Sequence, residues 1–510
     1  MIEKETPWFW RGLLTAALLV GALVRLPAVT AGYPYLEYVD EGHILHPVAR
    51  TLATGRWDPA ENNYPELPVI AIAGVFRLLS PRAGVAAQPR YYDQVEPPQL
   101  ILVARWLSLL LSVASILLAG LLARRLAGDV AGGVAMLAAA LLPALVFRGA
   151  LIIVDVYAVF FVLAALTLLA GVERPDQLGR LAAAGACCGL AAVSKYPAVL
   201  VSLAVAAVVL AAPWRWRERL RGIALAGAAA VLAAAIAMPA LWLEPLRVWE
   251  TQIVRQSGNY ASQPTPSLAS QAFGRVEWDL PALPYAEVGY AFTVLALAGL
   301  AVLIARRQSR RFGIGCALFA AALISLHAAY AFQAFRNLLP VAALACVMVG
   351  VAVAAVGERS GRLRLAALIG IASLLLLFGP AARDYALDRA RMVDSRRQAV
   401  DWLAANSQAG DFVLVLEETA VSSGEIARIP GRVRVAPWED ARRALWLRKP
   451  HLVLVPDLVR RDGRHLIPEA DRGWLLDRYA VRAVVGSEGR TIRHWRGNNL
   501  RLFVLERTPN

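Results

Sequence analysis

Apolar residues along this chain fall in long blocks separated by short polar clusters. The blocks lie at roughly 12–29, 100–123, 129–147, 151–171, 180–193, 197–213, 220–241, 286–305, 312–332, 337–357 and 363–380. Many approach the about 20 residues that a helix needs to cross a bilayer. The pattern therefore predicts an all-α polytopic membrane protein with about eleven spans. Basic residues supply an independent check. Arg124-Arg125 and the clusters at 215–221, 306–311 and 359–364 sit between blocks, and such clusters mark cytoplasmic loops. Alternating the spans from an inside N-terminus, behind Lys4 and Arg11, puts every one of these clusters in the cytoplasm. Ala28-Val29-Thr30-Ala31 imitates a signal-peptidase site. The apolar stretch before it is long for a signal core, so an uncleaved first helix is expected.

The same alternation places four features on the outer side: a first loop at 30–99, a short turn at Arg148, a loop at 242–285 and a tail at 381–510. The stretch 64–79 is apolar but short and carries Arg77. Were it a span, Arg124-Arg125 would move outside, so it reads as an interfacial or re-entrant helix. The pattern changes after Pro380. Residues 391–406 have helical amphipathicity, and short β-branched runs follow at 412–416, 452–455, 481–485 and 500–505, with helical stretches near 437–447 and 468–479. Such alternation predicts a small α/β domain. Two domains follow: 1–380 in the membrane and 381–510 outside it.

Composition narrows the function. The chain has 510 residues, 58% of them hydrophobic, with a mean hydropathy of +0.51, which sets it apart from soluble proteins of that size. The net charge of +15 is accounted for by the loop clusters, so no nucleic-acid partner is expected. Cys187, Cys188, Cys316 and Cys346 all lie inside apolar blocks, which leaves no disulfide framework and no zinc spacing.

Ionisable groups at membrane depth are costly and usually have a task or a partner. Several converge at the outer helix ends: Asp40 and Glu41, Arg105, Arg148 and Asp155, Lys195 and Arg336. Each has an ordinary explanation. Arg105 and Arg148 can snorkel to headgroups, Asp155 can pair with Arg148, and Lys195 can anchor beside Tyr196. Their shared side favours a site for an anionic lipid substrate and a proton to be removed.

The first loop is more specific. Tyr38-Val39-Asp40-Glu41-Gly42-His43, then Tyr64-Pro65-Glu66-Leu67-Pro68, resembles the start of the GT-C glycosyltransferases. The nearest likeness is to the superfamily of protein O-mannosyltransferases and lipid A aminoarabinose transferases. Ala104-Arg105-Trp106-Leu107-Ser108 resembles that family's second-helix start, and Ala123-Arg124-Arg125-Leu126-Ala127-Gly128 its first cytoplasmic turn. Gly189-Leu190 through Ser194-Lys195-Tyr196, and Phe335-Arg336-Asn337-Leu338-Leu339-Pro340, are similar to its lysine and arginine elements. Three departures stand out: Pro65 and Pro68 are separated where the family pairs them, Asn337 replaces an aromatic, and residues 81–99, with Arg90, Tyr91, Tyr92 and Asp93, look like extra loop.

The resemblance implies an inverting transfer of a sugar from a polyprenyl-phosphate donor to a hydroxyl on a lipid, glycan or protein acceptor. It would take place on the periplasmic or extracellular side of the inner (plasma) membrane. Such a reaction needs a carboxylate to take the acceptor's proton and cations to meet the departing phosphate. By this resemblance Asp40 is the base with Glu41 beside it, and Arg336, Lys195 and Arg105 hold the phosphate. Asp155, Arg148, His43 and Tyr64 support them. No glycine-rich nucleotide loop is present, as expected for a lipid-linked donor. Some GT-C enzymes use a divalent metal, but the first loop has no Asp-x-Asp pair and nothing points to one. The rival readings are a transporter or flippase of lipid-linked sugars and a non-catalytic scaffold. For the tail, three roles stand open: shaping the acceptor site, binding glycan, or capping the membrane domain.

Overall fold

The structure is a computed structural model that describes residues 7–56, 64–88, 91–262, 286–456, 469–486 and 502–508, with the isolated positions 267, 269 and 467. Most of the outer part of the loop 242–285, Arg90 in the first loop and part of the tail lie outside these residues. Among the described residues, six helical stretches are long and apolar enough to cross a membrane: Gly12–Thr30, Gln99–Leu141, Trp216–Ala237, Arg310–Ala328, Phe335–Ser360 and Leu363–Asn406. Shorter apolar helices lie at Leu67–Leu79, Val154–Leu169, Leu178–Ala192, Tyr196–Leu210 and Tyr290–Ala305. Pro380 lies inside the helix Leu363–Arg391, so the last long helix runs past the point where the composition changes.

Gln99–Leu141 is two helices joined by a sharp turn. Ala127 and Gly128 leave helical geometry, and Gly128 has φ +82°, a conformation that glycine adopts at no steric cost. The turn falls on the motif Ala123–Gly128 read from the sequence. Helix Leu178–Ala192 packs directly on Trp216–Ala237. A Cβ at Gly185 would lie 2.1 Å from the Ala226 carbonyl oxygen, and one at Gly189 2.0 Å from that of Ala230. Small residues four apart let membrane helices meet backbone to backbone. Arg25, fully buried at the end of the first helix, donates to the carbonyls of Gly21, Ala139 and Ala140 at 2.9, 3.0 and 2.8 Å. Pro143 has no N–H to offer the Ala139 carbonyl four residues back, so the arginine supplies a bond that the chain cannot make there.

The chain divides into two compact units. The first holds Met1–Val29, His43–Ala87 and Leu102–Ala390; the second holds Thr30–Gly42, Gln88–Ile101 and Arg391–Asn510. The second unit is built on a five-stranded sheet of order β2-β1-β3-β5-β4. Its strands are β1 Phe412–Leu416, β2 Arg432–Ala436, β3 Leu452–Pro456, β4 Tyr479–Val485 and β5 Leu502–Arg507. β1 runs parallel to β2 and β3, whereas β5 is antiparallel to β3 and β4. Alternate side chains of a strand point to opposite faces. Val413 and Val415 pack with Ala399, Val400 and Leu403 of helix Ser395–Asn406. Leu414 and Leu416 pack with Ala441, Ala444 and Leu475 on the other side. The sheet is therefore covered on both faces, as the α/β pattern of the tail predicts.

Candidate functional site

The site is built around Lys195. Helix Leu178–Ala192 stops just before it, and Tyr196-Pro197 opens the next helical turn. Lys195 takes extended backbone between the two helices, and Pro197 stands in the first turn of the second, where its missing N–H costs no hydrogen bond. Its ammonium donates to the Asp155 carboxylate and to Asn337 Oδ1, the latter at 2.6 Å. Asp155 lies in the first turn of helix Val154–Leu169, where the positive end of the helix dipole favours a carboxylate. Asn337 is buried in the turn Phe335–Leu338, beside half-buried Arg336. Three sequence elements more than a hundred residues apart from first to last thus meet at one buried ion pair, with side-chain exposures of 9% and 2%.

Polar groups around the pair are left open. Asn337 Nδ2 finds no partner among the described residues, and neither does either ring nitrogen of His327. His327 sits at the end of helix Arg310–Ala328, buried to 1% exposure and within electrostatic reach of Lys195 and Asp155. Buried polar groups are nearly always hydrogen-bonded, so these atoms mark the pair's surroundings as a place suited to a polar ligand. The first-loop motif docks on the same break: the Leu67 N–H donates to the Val193 carbonyl at 3.3 Å. Tyr196 donates its hydroxyl to Gln252 Oε1 at 2.5 Å and lies within electrostatic reach of fully buried Glu66. His43 and Tyr64 meet edge to face, with ring centroids 6.3 Å apart.

The other cations are placed differently. Arg148 forms a two-pronged pair with Glu287 at 2.7 and 2.8 Å, both side chains being buried, while Asp155 holds Lys195. Arg105 is fully buried, with one N–H 3.4 Å from the Val29 carbonyl. Asp40 and Glu41 belong to the second unit, in the first turn of helix Val39–Thr54. Glu41 is fully buried, and its Oε2 accepts from the N–H groups of Glu37 and Tyr38 at 2.8 and 3.3 Å. It caps the helix start that presents Asp40, which is 7% exposed. Burial raises the Tyr92 phenol above its usual pKa, and the charge of Asp40 raises it further.

Sequence reading passed over Glu287 and His327 and noted Asn337 only as a departure. An acid opening an outer apolar block, opposite Arg148, was the available signal for Glu287. His327 carried none, because its role depends on helices distant in sequence. Among the described residues, no group of three or more His, Cys, Asp or Glu side chains is disposed to hold a metal ion.

Comparison with known proteins bears on the fold. Residues 99–242, which include Arg105, Arg148, Asp155 and Lys195, match the family model "Dolichyl-phosphate-mannose-protein mannosyltransferase". Among solved structures, the chain is similar to ArnT from Cupriavidus metallidurans bound to undecaprenyl phosphate. That match has a TM-score of 0.59 at 14% identity and covers 98% of each chain. It is also similar to the archaeal oligosaccharyltransferase AglB from Archaeoglobus fulgidus, in complex with an inhibitory peptide and a dolichol-phosphate. There the TM-score is 0.50 at 12% identity, covering 88% of this chain and 69% of that one. A comparison with curated protein sequences gave no match. The resemblance read from the motifs is borne out: this chain has the GT-C glycosyltransferase fold.

Proposed function

We propose that this protein is an integral membrane glycosyltransferase that moves a sugar from a polyprenyl-phosphate donor to a hydroxyl acceptor, with inversion. The reaction takes place on the non-cytoplasmic face of the inner membrane, in a chain with about eleven spans and a soluble outer tail. One observation carries the reading. The elements of Asp155, Lys195 and Arg336-Asn337 assemble one buried polar site, in a fold similar to that of a transferase bound to undecaprenyl phosphate.

In the proposed step the acceptor oxygen attacks the anomeric carbon as the bond from that carbon to the phosphate oxygen breaks. The Asp40 carboxylate takes the hydroxyl proton, and the polyprenyl phosphate leaves with the bonding electron pair. Arg336 offers a planar fork to the phosphate, whereas Lys195 acts as a point charge. Asp155 and Asn337 hold the lysine in place. Glu41 orients the turn that carries Asp40. A transporter or flippase of lipid-linked sugars is not favoured, because the solved structures that the chain resembles are transferases.

The test follows the release of free polyprenyl phosphate from a panel of polyprenyl-phosphate sugars, with candidate acceptors present. Wild type should release it from at least one donor. Asp40→Asn should fold normally and lose roughly a factor of 10²–10⁴ in rate, the usual contribution of a general base. Full activity in Asp40→Asn would remove the base assignment, and no release from any donor would remove the function.

A further inference from the structure

The acidic pair of the first loop is built into the same compact unit as the tail. Thr30–Gly42, Gln88–Ile101 and Arg391–Asn510 form that unit, and its centre is Arg396, 2% exposed, in helix Ser395–Asn406. The guanidinium donates through Nε and Nη2 to the two oxygens of Asp394 at 2.9 and 2.8 Å, and through Nη1 to Asp93. Its carbon lies 3.5 Å from the ring centroid of fully buried Tyr35. Burial would lower the Arg396 pKa, but Asp394 and Asp93 outweigh it and hold it above the ordinary value.

From this centre a continuous run of contacts leads to the acidic pair. The Ser422 N–H donates to the Tyr35 hydroxyl at 3.1 Å, and the Leu36 N–H to the Asp93 carbonyl at 2.9 Å. Gln94 Nε2 donates to the Ala420 carbonyl at 2.5 Å. Ala420 is held there at φ +52°, a conformation that a residue with a Cβ seldom adopts and that its surroundings must enforce. Tyr91 donates to the Glu417 carbonyl at 3.0 Å and Arg397 to that of Tyr33 at 3.4 Å. Next in the chain come Glu37 and Tyr38, whose N–H groups are held by Glu41, and then Asp40 itself. The second loop segment also comes within electrostatic reach of Asp40, at Tyr92.

We propose that Arg396 and Asp93 are positioning residues for Asp40, so that the tail, which shares a compact unit with Asp40, takes part in turnover. The inference rests on the reading of Asp40 as the base. Placement of a catalytic group to within a fraction of an ångström governs rate more than binding. The tail therefore acts on turnover, with little effect on donor affinity.

Asp93→Asn is the test, because it keeps the shape and removes the charge that faces Arg396. Measured on full-length protein, kcat should fall about tenfold or more, with the donor KM within twofold. Hydrogen exchange over residues 30–42 should rise, while the helices of the first unit keep wild-type exchange. Should Asp93→Asn fail to fold, Tyr35→Phe keeps the ring under Arg396 and removes only the acceptor for Ser422; the same split is then expected at a smaller size. Wild-type kcat together with faster exchange over 30–42 would overturn the proposal. If the wild type turns over no donor, the proposed function falls and the clamp is judged on exchange, where an unchanged 30–42 segment overturns it.

Discussion

The two units each bury a cation against carboxylate, and the pairs differ in what surrounds them. Arg396 in the second unit is closed. Asp394, Asp93 and the Tyr35 ring take up the fork and its face. Lys195 in the first unit is held by Asp155 and Asn337, yet Asn337 Nδ2 and both nitrogens of His327, within electrostatic reach of the pair, have no partner among the described residues. A satisfied buried network rigidifies the fold, while a partly satisfied one is costly unless something else completes it. The closed network reads as scaffold and the open one as a site.

Three substitutions test the contrast, in order of expected effect. Arg396→Met should cost the second unit about 3–5 kcal/mol, since it strands two carboxylates in the interior. Its unfolding, followed in detergent against wild type, should show the loss, and Asp93→Asn on top should recover only part of it because Asp394 stays uncompensated. Lys195→Met should also destabilise, by leaving Asp155 buried without its charge partner. Here, however, the double variant with Asp155→Leu should come back to within about 1 kcal/mol of wild type, because a buried pair replaced by apolar groups is often neutral. Turnover should stay lost in that double variant; activity returning with stability would show that the pair is only structural. The smallest effect on stability belongs to His327→Phe. It removes no hydrogen bond made among the described residues, so the unfolding midpoint should stay put or rise, while sugar release should slow about tenfold. Equal rates for His327→Phe and wild type would mean that the open groups take no part in binding the donor.

Much of this is legible in the amino-acid sequence. The apolar blocks fall on helices because burial of backbone polar groups in lipid leaves the chain little other choice. The lysine and arginine motifs each fall at a break between helices, with a proline in the first turn of the helix that follows. What was not legible depends on pairing between distant segments. Glu287 reads as an ordinary acid until Arg148 is seen against it. Asn337 reads as a lost aromatic until its amide oxygen is seen on Lys195. Segments Thr30–Gly42 and Gln88–Ile101 read as loop, since nothing in their periodicity reveals Arg396 three hundred residues later.

Helix length has a consequence for the surrounding lipid. Helix Leu178–Ala192, which leads into Lys195, has 15 residues and rises about 1.5 Å per residue, or about 22 Å in all. The hydrocarbon layer is about 30 Å thick. Val154–Leu169, which carries Asp155, and Tyr290–Ala305, which follows Glu287, have only 16 residues each. Hydrophobic mismatch of this kind thins the bilayer locally or sinks the short helix ends below the headgroup plane. On the proposed reading of Lys195, a carrier phosphate would have to meet it several ångströms deeper than it rests elsewhere in the leaflet. On that reading, membrane thickness, varied through acyl-chain length in reconstituted vesicles, should change the rate of turnover.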